Sequence, residues 1–139
     1  MNLKDTVSIT CGVVGSLISG MFGGWTQAMT TLCIFMAGDY ITGLLVAGVW
    51  HKSPKSAGGG LESDYCWKGL LKKGVTLGIV LIAYRLDLTL DTTYIKDAVI
   101  IAYCVNEGLS ILENVGLMGV EYPPVIKKAF EVLNKNESE

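Results

Sequence analysis

The sequence predicts an all-α integral membrane protein of four short transmembrane helices, followed by an amphipathic C-terminal helix lying on the membrane surface. Three observations carry this. Half of the residues are hydrophobic, only 17% are charged, and the mean hydropathy is +0.45. A soluble domain of 139 residues exposes much of its area and needs a more charged surface than that. Between Asp5 and Asp39 there is no Asp, Glu, Lys, Arg or His, a stretch longer than one bilayer crossing requires. The charges that remain are clustered between apolar runs and in the tail.

The first apolar segment spans about residues 7–22 and is punctuated by Gly23-Gly24-Trp25. Lys4 ahead of an apolar run imitates a secretion signal, but Ser16-Leu17-Ile18-Ser19-Gly20 leads directly into more apolar sequence, so a retained helix is expected. Small residues recur every four positions at Ser8, Gly12, Ser16, Gly20 and Gly24, with a second row at Gly15, Ser19 and Gly23. That spacing aligns each row on one helix face, where a second helix can approach closely. Packing within the subunit and self-association both fit. The turn after this segment carries no charge to anchor it, so a re-entrant or surface-lying first segment, with three crossings, is the alternative topology.

The second segment, about residues 27–50, holds Asp39 near its middle. A central aspartate costs roughly 2.5–3.5 kcal/mol on insertion scales, while each Leu, Ile, Phe or Val returns only roughly 0.3–0.6. Leu32, Ile34, Phe35, Ile41, Leu44, Leu45 and Val46 therefore only about cancel it. Asp39 needs a partner, a proton or water, and marks either a functional site or a structural interhelical hydrogen bond.

A polar link, residues 51–73, follows. Its Gly58-Gly59-Gly60 lacks the lysine and strand of a phosphate-binding loop and reads as a flexible linker. His51 stands alone, without other metal ligands nearby. Lys52, Lys55, Lys68, Lys72 and Lys73 place this link in the cytoplasm. The third segment, about residues 74–90, carries Arg85 and Asp87 near its end. Arg85 either snorkels to the interface or pairs with a buried carboxylate. The acidic link of residues 87–97 suits the outer face, and Lys127, Lys128 and Lys135 keep the tail inside. Four crossings with both termini cytoplasmic satisfy this distribution.

The fourth segment, about residues 98–119, places Asn106, Glu107, Ser110, Glu113 and Asn114 on one helical stripe opposite Val105, Leu109, Leu112 and Val115. Such a stripe lines water in a pore or forms an internal network with Arg85 or Asp39. The tail, residues 122–135, sets Tyr122, Ile126, Ala129, Phe130 and Leu133 against Lys127, Lys128, Glu131 and Lys135, with Pro123-Pro124 at its start. The four cysteines, Cys11, Cys33, Cys66 and Cys104, have no paired spacing and read as small apolar residues in a reducing compartment. A net charge of −2 without basic–aromatic runs gives no footprint for nucleic acid. No nucleophile accompanies the carboxylates, so no catalytic residue, cofactor or metal is expected.

The strings DYITGLLVAG from Asp39, HKSPKS and GGGLES from His51 and Gly58, KGLLKKG from Lys68 and NEGLSILENVGLMG from Asn106 resemble the phage-lysis and toxin-secretion holins of Gram-positive bacteria and their phages. The resemblance runs through nearly the whole chain, and its last string is the most specific. It implies a non-enzymatic protein that accumulates in the bacterial cytoplasmic membrane, oligomerises and opens lesions. Its functional partner would be a cell-wall hydrolase, or else an exported toxin. By motif, Asp39, Tyr40, Thr42 and Gly43 match the first string, and Asn106, Glu107, Ser110, Glu113 and Asn114 the last. A small proton-coupled transporter is the competing reading, although it would favour an internal repeat and a single essential carboxylate.

Overall fold

A computed structural model describes residues 1–138, and every regular element among them is helical. Helix α1 spans Leu3–Met21 and α2 spans Gln27–Leu45, the latter continuing as a π-helical turn over Val46–Trp50. Helices α3 (Ser63–Leu90), α4 (Ile95–Leu117) and α5 (Pro124–Ser138) complete the chain.

Helices α2, α3 and α4 form an up-down-up bundle whose largest interface lies between α2 and α4. Met29, Leu32 and Met36 from α2 meet Val80 from α3 and Ile100 and Cys104 from α4 in one buried apolar cluster. Two helices, Gln27–Trp50 and Ile95–Leu117, are long and apolar enough to cross a bilayer. The apolar part of α3 is interrupted by Lys73, Arg85 and Asp87.

Three element boundaries differ from the expected ones, each for a local reason. Helix α3 begins at Ser63 rather than near residue 74, so the second half of the 51–73 link is helical. Asp64 in its first turn suits the helix dipole and pairs with Lys68 at 3.1 Å, one turn on. Helix α4 begins at Ile95 because the Asp87 carboxylate accepts from the backbone N–H of Ile95 at 3.0 Å and of Lys96 at 2.9 Å, and from the Thr92 hydroxyl at 2.6 Å. An aspartate from the preceding helix thus does the work of an N-cap. Helix α1 begins at Leu3, where the Asn2 side chain accepts from the Asp5 N–H at 3.0 Å.

The first helix stands apart from the bundle. None of its residues is buried. Its C-terminal end alone is fastened: the Lys96 ammonium donates to the Phe22 carbonyl and lies over the Tyr84 ring, 5.5 Å from its centroid. The turn that follows needs glycine. Gly23 has φ +78°, Gly24 has φ +95°, and a Cβ on Gly23 would run into the Tyr84 ring. Gly23 and Gly24 therefore lie beyond the helix, and the two small-residue rows end at Ser19 and Gly20.

The tail helix does not lie free. Helix α5 folds back on α4, and Phe130 inserts against Gly108 and the ring of Phe35, edge to face with centroids 5.8 Å apart. The apolar face read from the sequence is thus turned, through Tyr122 and Phe130, onto protein, while the rest of α5 through Asn136 stays exposed.

Candidate functional site

At mid-height of the bundle the polar residues of three helices converge. Asp39 and Thr42, three residues apart, share a face of α2. Glu107, Ser110 and Asn114 share the facing stripe of α4, and Lys73 enters from α3. The Lys73 ammonium donates to Asp39 Oδ2 at 2.7 Å and to Glu107 Oε2 at 2.7 Å. Asp39 Oδ1 accepts from the Ser110 hydroxyl at 2.6 Å and from the Asn114 amide at 3.2 Å. Asn114 also donates to Thr42 Oγ1 at 2.8 Å, and Thr42 donates to the Gly38 carbonyl at 2.8 Å. Asp39, Glu107 and Asn114 are 8%, 7% and 6% exposed, so water does not hold these charges apart. Among the described residues every buried side-chain nitrogen and oxygen has a hydrogen-bond partner, as a polar group in an apolar bundle requires.

The arrangement depends on close backbone approach. A Cβ on Gly43 would come within 3.1 Å of the Tyr65 hydroxyl, and one on Gly38 within 3.2 Å of Ile111 Cδ1. Tyr40 donates to the Cys66 carbonyl at 3.1 Å, fixing α2 to the first turn of α3. The residues of the DYITG string therefore act together: Asp39 and Thr42 in the network, Tyr40 as an interhelical tie, Gly43 as the space that lets α3 and α4 close in.

A cleft of about 490 Å³ leads to this cluster. Asp39, Lys73, Glu107 and Ser110 line its inner part, and Lys55, Glu62, Asp64 and Lys68 line the part formed by the 51–62 link and the start of α3. Towards the opposite end of the bundle lie Met29, Leu32, Val80 and Ile100, which are fully buried. The site is thus a polar recess approached from one end and backed by apolar packing at the other.

Of the residues singled out in the sequence, Asp39, Thr42, Glu107, Ser110 and Asn114 come together in one internal network. Asn106 is exposed on the cleft wall, Glu113 is exposed, and Arg85 is exposed and contributes no charge to the cluster. The cation is Lys73. Sequence reasoning counted it among the loop lysines that set orientation, because it immediately precedes the apolar run at Gly74. Two buried carboxylates on separate helices were the signal that a cation had to reach them, and Lys73 of KGLLKKG is the one that does. Gly12, Gly15, Ser16, Ser19 and Gly20 lie on α1, away from this site, and nothing lies within 4 Å of where a Cβ on Gly12, Gly15 or Gly20 would be.

Residues 16–135 match the model of the bacteriophage holin family. An uncharacterized protein of Clostridium perfringens strain 13 is 36% identical over 136 residues, covering 95% of each chain. An uncharacterized protein of Listeria monocytogenes is 36% identical over 126 residues, covering 90% of this chain and 84% of its own. The "Probable holin" of Bacillus phage phi105 is 29% identical over 102 residues, covering 73% of this chain and 70% of its own. No solved structure matches.

Proposed function

The chain belongs to the bacteriophage holin family, and from that premise we propose that it accumulates in the bacterial cytoplasmic membrane, self-associates and opens lesions that release a cell-wall hydrolase or a toxin. The observation that carries the reading is the ionic cluster of Asp39, Lys73 and Glu107 set within apolar helices. A subunit held by one such cluster is stable enough to accumulate, yet its helices keep polar faces that can turn to water once subunits gather. In that assembled state Asp39, Thr42, Glu107, Ser110 and Asn114 would line water, joined by Asn106 and Glu113 from the same helix. Arg85, exposed near the outer end of α3, would snorkel to the interface. No enzymatic step is proposed.

Induced expression in a bacterial host should halt growth and collapse the membrane potential after a lag. Lysis should follow only when a cell-wall hydrolase is co-expressed. Cells that retain their potential at high membrane levels of the protein would overturn the reading. The polar recess also fits a small proton-coupled transporter, and vesicles separate the two. A lesion former releases trapped dye, whereas a transporter moves solute without dye loss.

The topology proposed is four crossings, α1 to α4, with both termini and the 51–62 link in the cytoplasm. It is supported by the lysines of the link and by the antiparallel order of the bundle, which puts the Gly23-Gly24 turn and the α3–α4 turn at one end. In a background lacking the native cysteines, an impermeant thiol reagent added outside should label a cysteine at Thr93 and spare one at Ser56. The reverse pattern would invert the topology, and labelling of both or neither would break it.

A further inference from the structure

The walls of the cleft are periodic. On α3, Asp64, Lys68, Lys72 and Thr76 recur every four residues and all line it, as Asn106 and Ser110 do one turn apart on α4. Thr76 lies 13 residues from the start of α3 and 14 from its end, roughly 20 Å from each at 1.5 Å per residue. Asn106 lies 11 residues from either end of α4. In helices that cross a hydrocarbon core about 30 Å thick, both positions are close to mid-depth. Asn106 and Lys72 are nonetheless exposed, and a free amide and a free ammonium held there against lipid are costly. Water in the cleft removes that cost, and about 490 Å³ has room for roughly 15 molecules at about 30 Å³ each.

The cleft also has a floor. Asp39, Lys73 and Glu107 form its innermost layer. Seven residues further along each of the same three helices stand Leu32, Val80 and Ile100, all fully buried and all in one apolar cluster. Seven residues is close to two turns, so this apolar layer lies about 10 Å beyond the ions on the same helix faces. Val80 is also the next step of the four-residue row that starts at Asp64. Water therefore finds polar partners as far as the ionic layer and meets apolar side chains past it.

We propose that the cleft is a water-filled vestibule that admits small hydrated ions and polar solutes from the link end of a single subunit to mid-depth, and that the Leu32–Val80–Ile100 layer is the barrier that keeps the membrane tight. Lys68, Lys72 and Thr76 of α3 thereby line water before any assembly, and a lesion opens when the apolar layer parts and wets. The vestibule rests on the membrane-crossing arrangement proposed above and is independent of lesion formation.

Single cysteines are placed in the full chain with Cys11, Cys33, Cys66 and Cys104 replaced by serine. Right-side-out and inverted membrane vesicles, still holding an internal dye, are treated with a quaternary-ammonium methanethiosulfonate that does not cross bilayers. Thr76→Cys and its neighbour Val75→Cys share one depth but lie about 100° apart round α3, and Val75 is 65% exposed and off the cleft wall. From the side that labels Ser56→Cys, Thr76→Cys should react on the order of tenfold or more faster than Val75→Cys, because a charged reagent reaches only wetted positions. From the other side neither should react, and Val80→Cys and Ile100→Cys should stay unlabelled from both. Equally slow reaction at Thr76→Cys and Val75→Cys would mean that lipid fills the cleft, and equally fast reaction that the helix stands in bulk water. Either result overturns the vestibule, and labelling of Val80→Cys or Ile100→Cys overturns the barrier. Protein that never releases the dye at any membrane level rejects the lesion reading, while the ratio of Thr76→Cys to Val75→Cys still decides the vestibule.

Discussion

Lys73→Met should be the most damaging single substitution in the chain. Methionine keeps most of the side-chain volume but removes the one cation shared by Asp39 and Glu107, which sit 2.7 Å from it on two other helices. Breaking a buried ionic group by deleting one partner typically costs about 3–5 kcal/mol, because charge is left unpaired. That is a large share of the about 5–15 kcal/mol by which most folded domains are stable. The Lys73 side chain is 16% exposed, so some water reaches it and the lower end of the range is expected. Thermal unfolding in detergent, followed by helical circular dichroism, should show a clear drop in midpoint, and membrane levels in cells should fall with it. The cause is then checked by removing the orphaned charges. Adding Asp39→Asn and Glu107→Gln to Lys73→Met should recover much of the lost midpoint, since neutral amides can hydrogen-bond among Ser110, Asn114 and each other. If the triple variant is no more stable than Lys73→Met alone, the lysine is holding the bundle by packing and not by charge.

The second large effect is expected on assembly rather than on folding. Gly20→Leu or Ser16→Leu in α1 should leave insertion and bundle stability unchanged while shifting cross-linked species from oligomers towards monomer. Four-residue rows of small side chains let helix backbones touch in a membrane, and a leucine holds them apart. The geometry sharpens this expectation. The space around Gly12, Gly15 and Gly20 is open to 4 Å, and no residue of α1 is buried. A Cβ at Gly20 meets nothing within 4 Å, so a loss of oligomers in the leucine variant would report on a contact between chains. An unchanged cross-linking ladder, with wild-type membrane levels, would remove these rows from assembly. Gly23 is the contrasting position: its Cβ would collide with Tyr84 and its φ of +78° disfavours any side chain. Gly23→Leu should destabilise the turn whether or not subunits associate.

The helical class and the positions of the apolar segments were legible in the sequence because composition and periodicity are local properties. An uncharged run from residue 6 to residue 38, a buried-looking aspartate and a polar stripe at helical spacing can each be read without knowing what they touch. The same is true of the amphipathic tail. Helix ends were less legible. The start of α3 at Ser63 and of α4 at Ile95 depends on Asp64–Lys68 and on the Asp87 cap, short-range polar contacts that hydropathy does not register.

The identity of partners was decided only in three dimensions. The sequence determined that Asp39 and Glu107 needed something to offset their charge. It offered Arg85 as the cation and read Lys73 as a loop anchor, because a lysine beside an apolar run ordinarily sets orientation. Packing α3 antiparallel against the α2–α4 pair brings Lys73 to the carboxylates and leaves Arg85 exposed. In the same way an apolar face on α5 was evident from its spacing, while the choice between lipid and protein was made by packing on α4, where Phe130 sits over Gly108. Burial cost is written in the chain residue by residue; which group compensates it depends on distances between helices, and only the fold sets those.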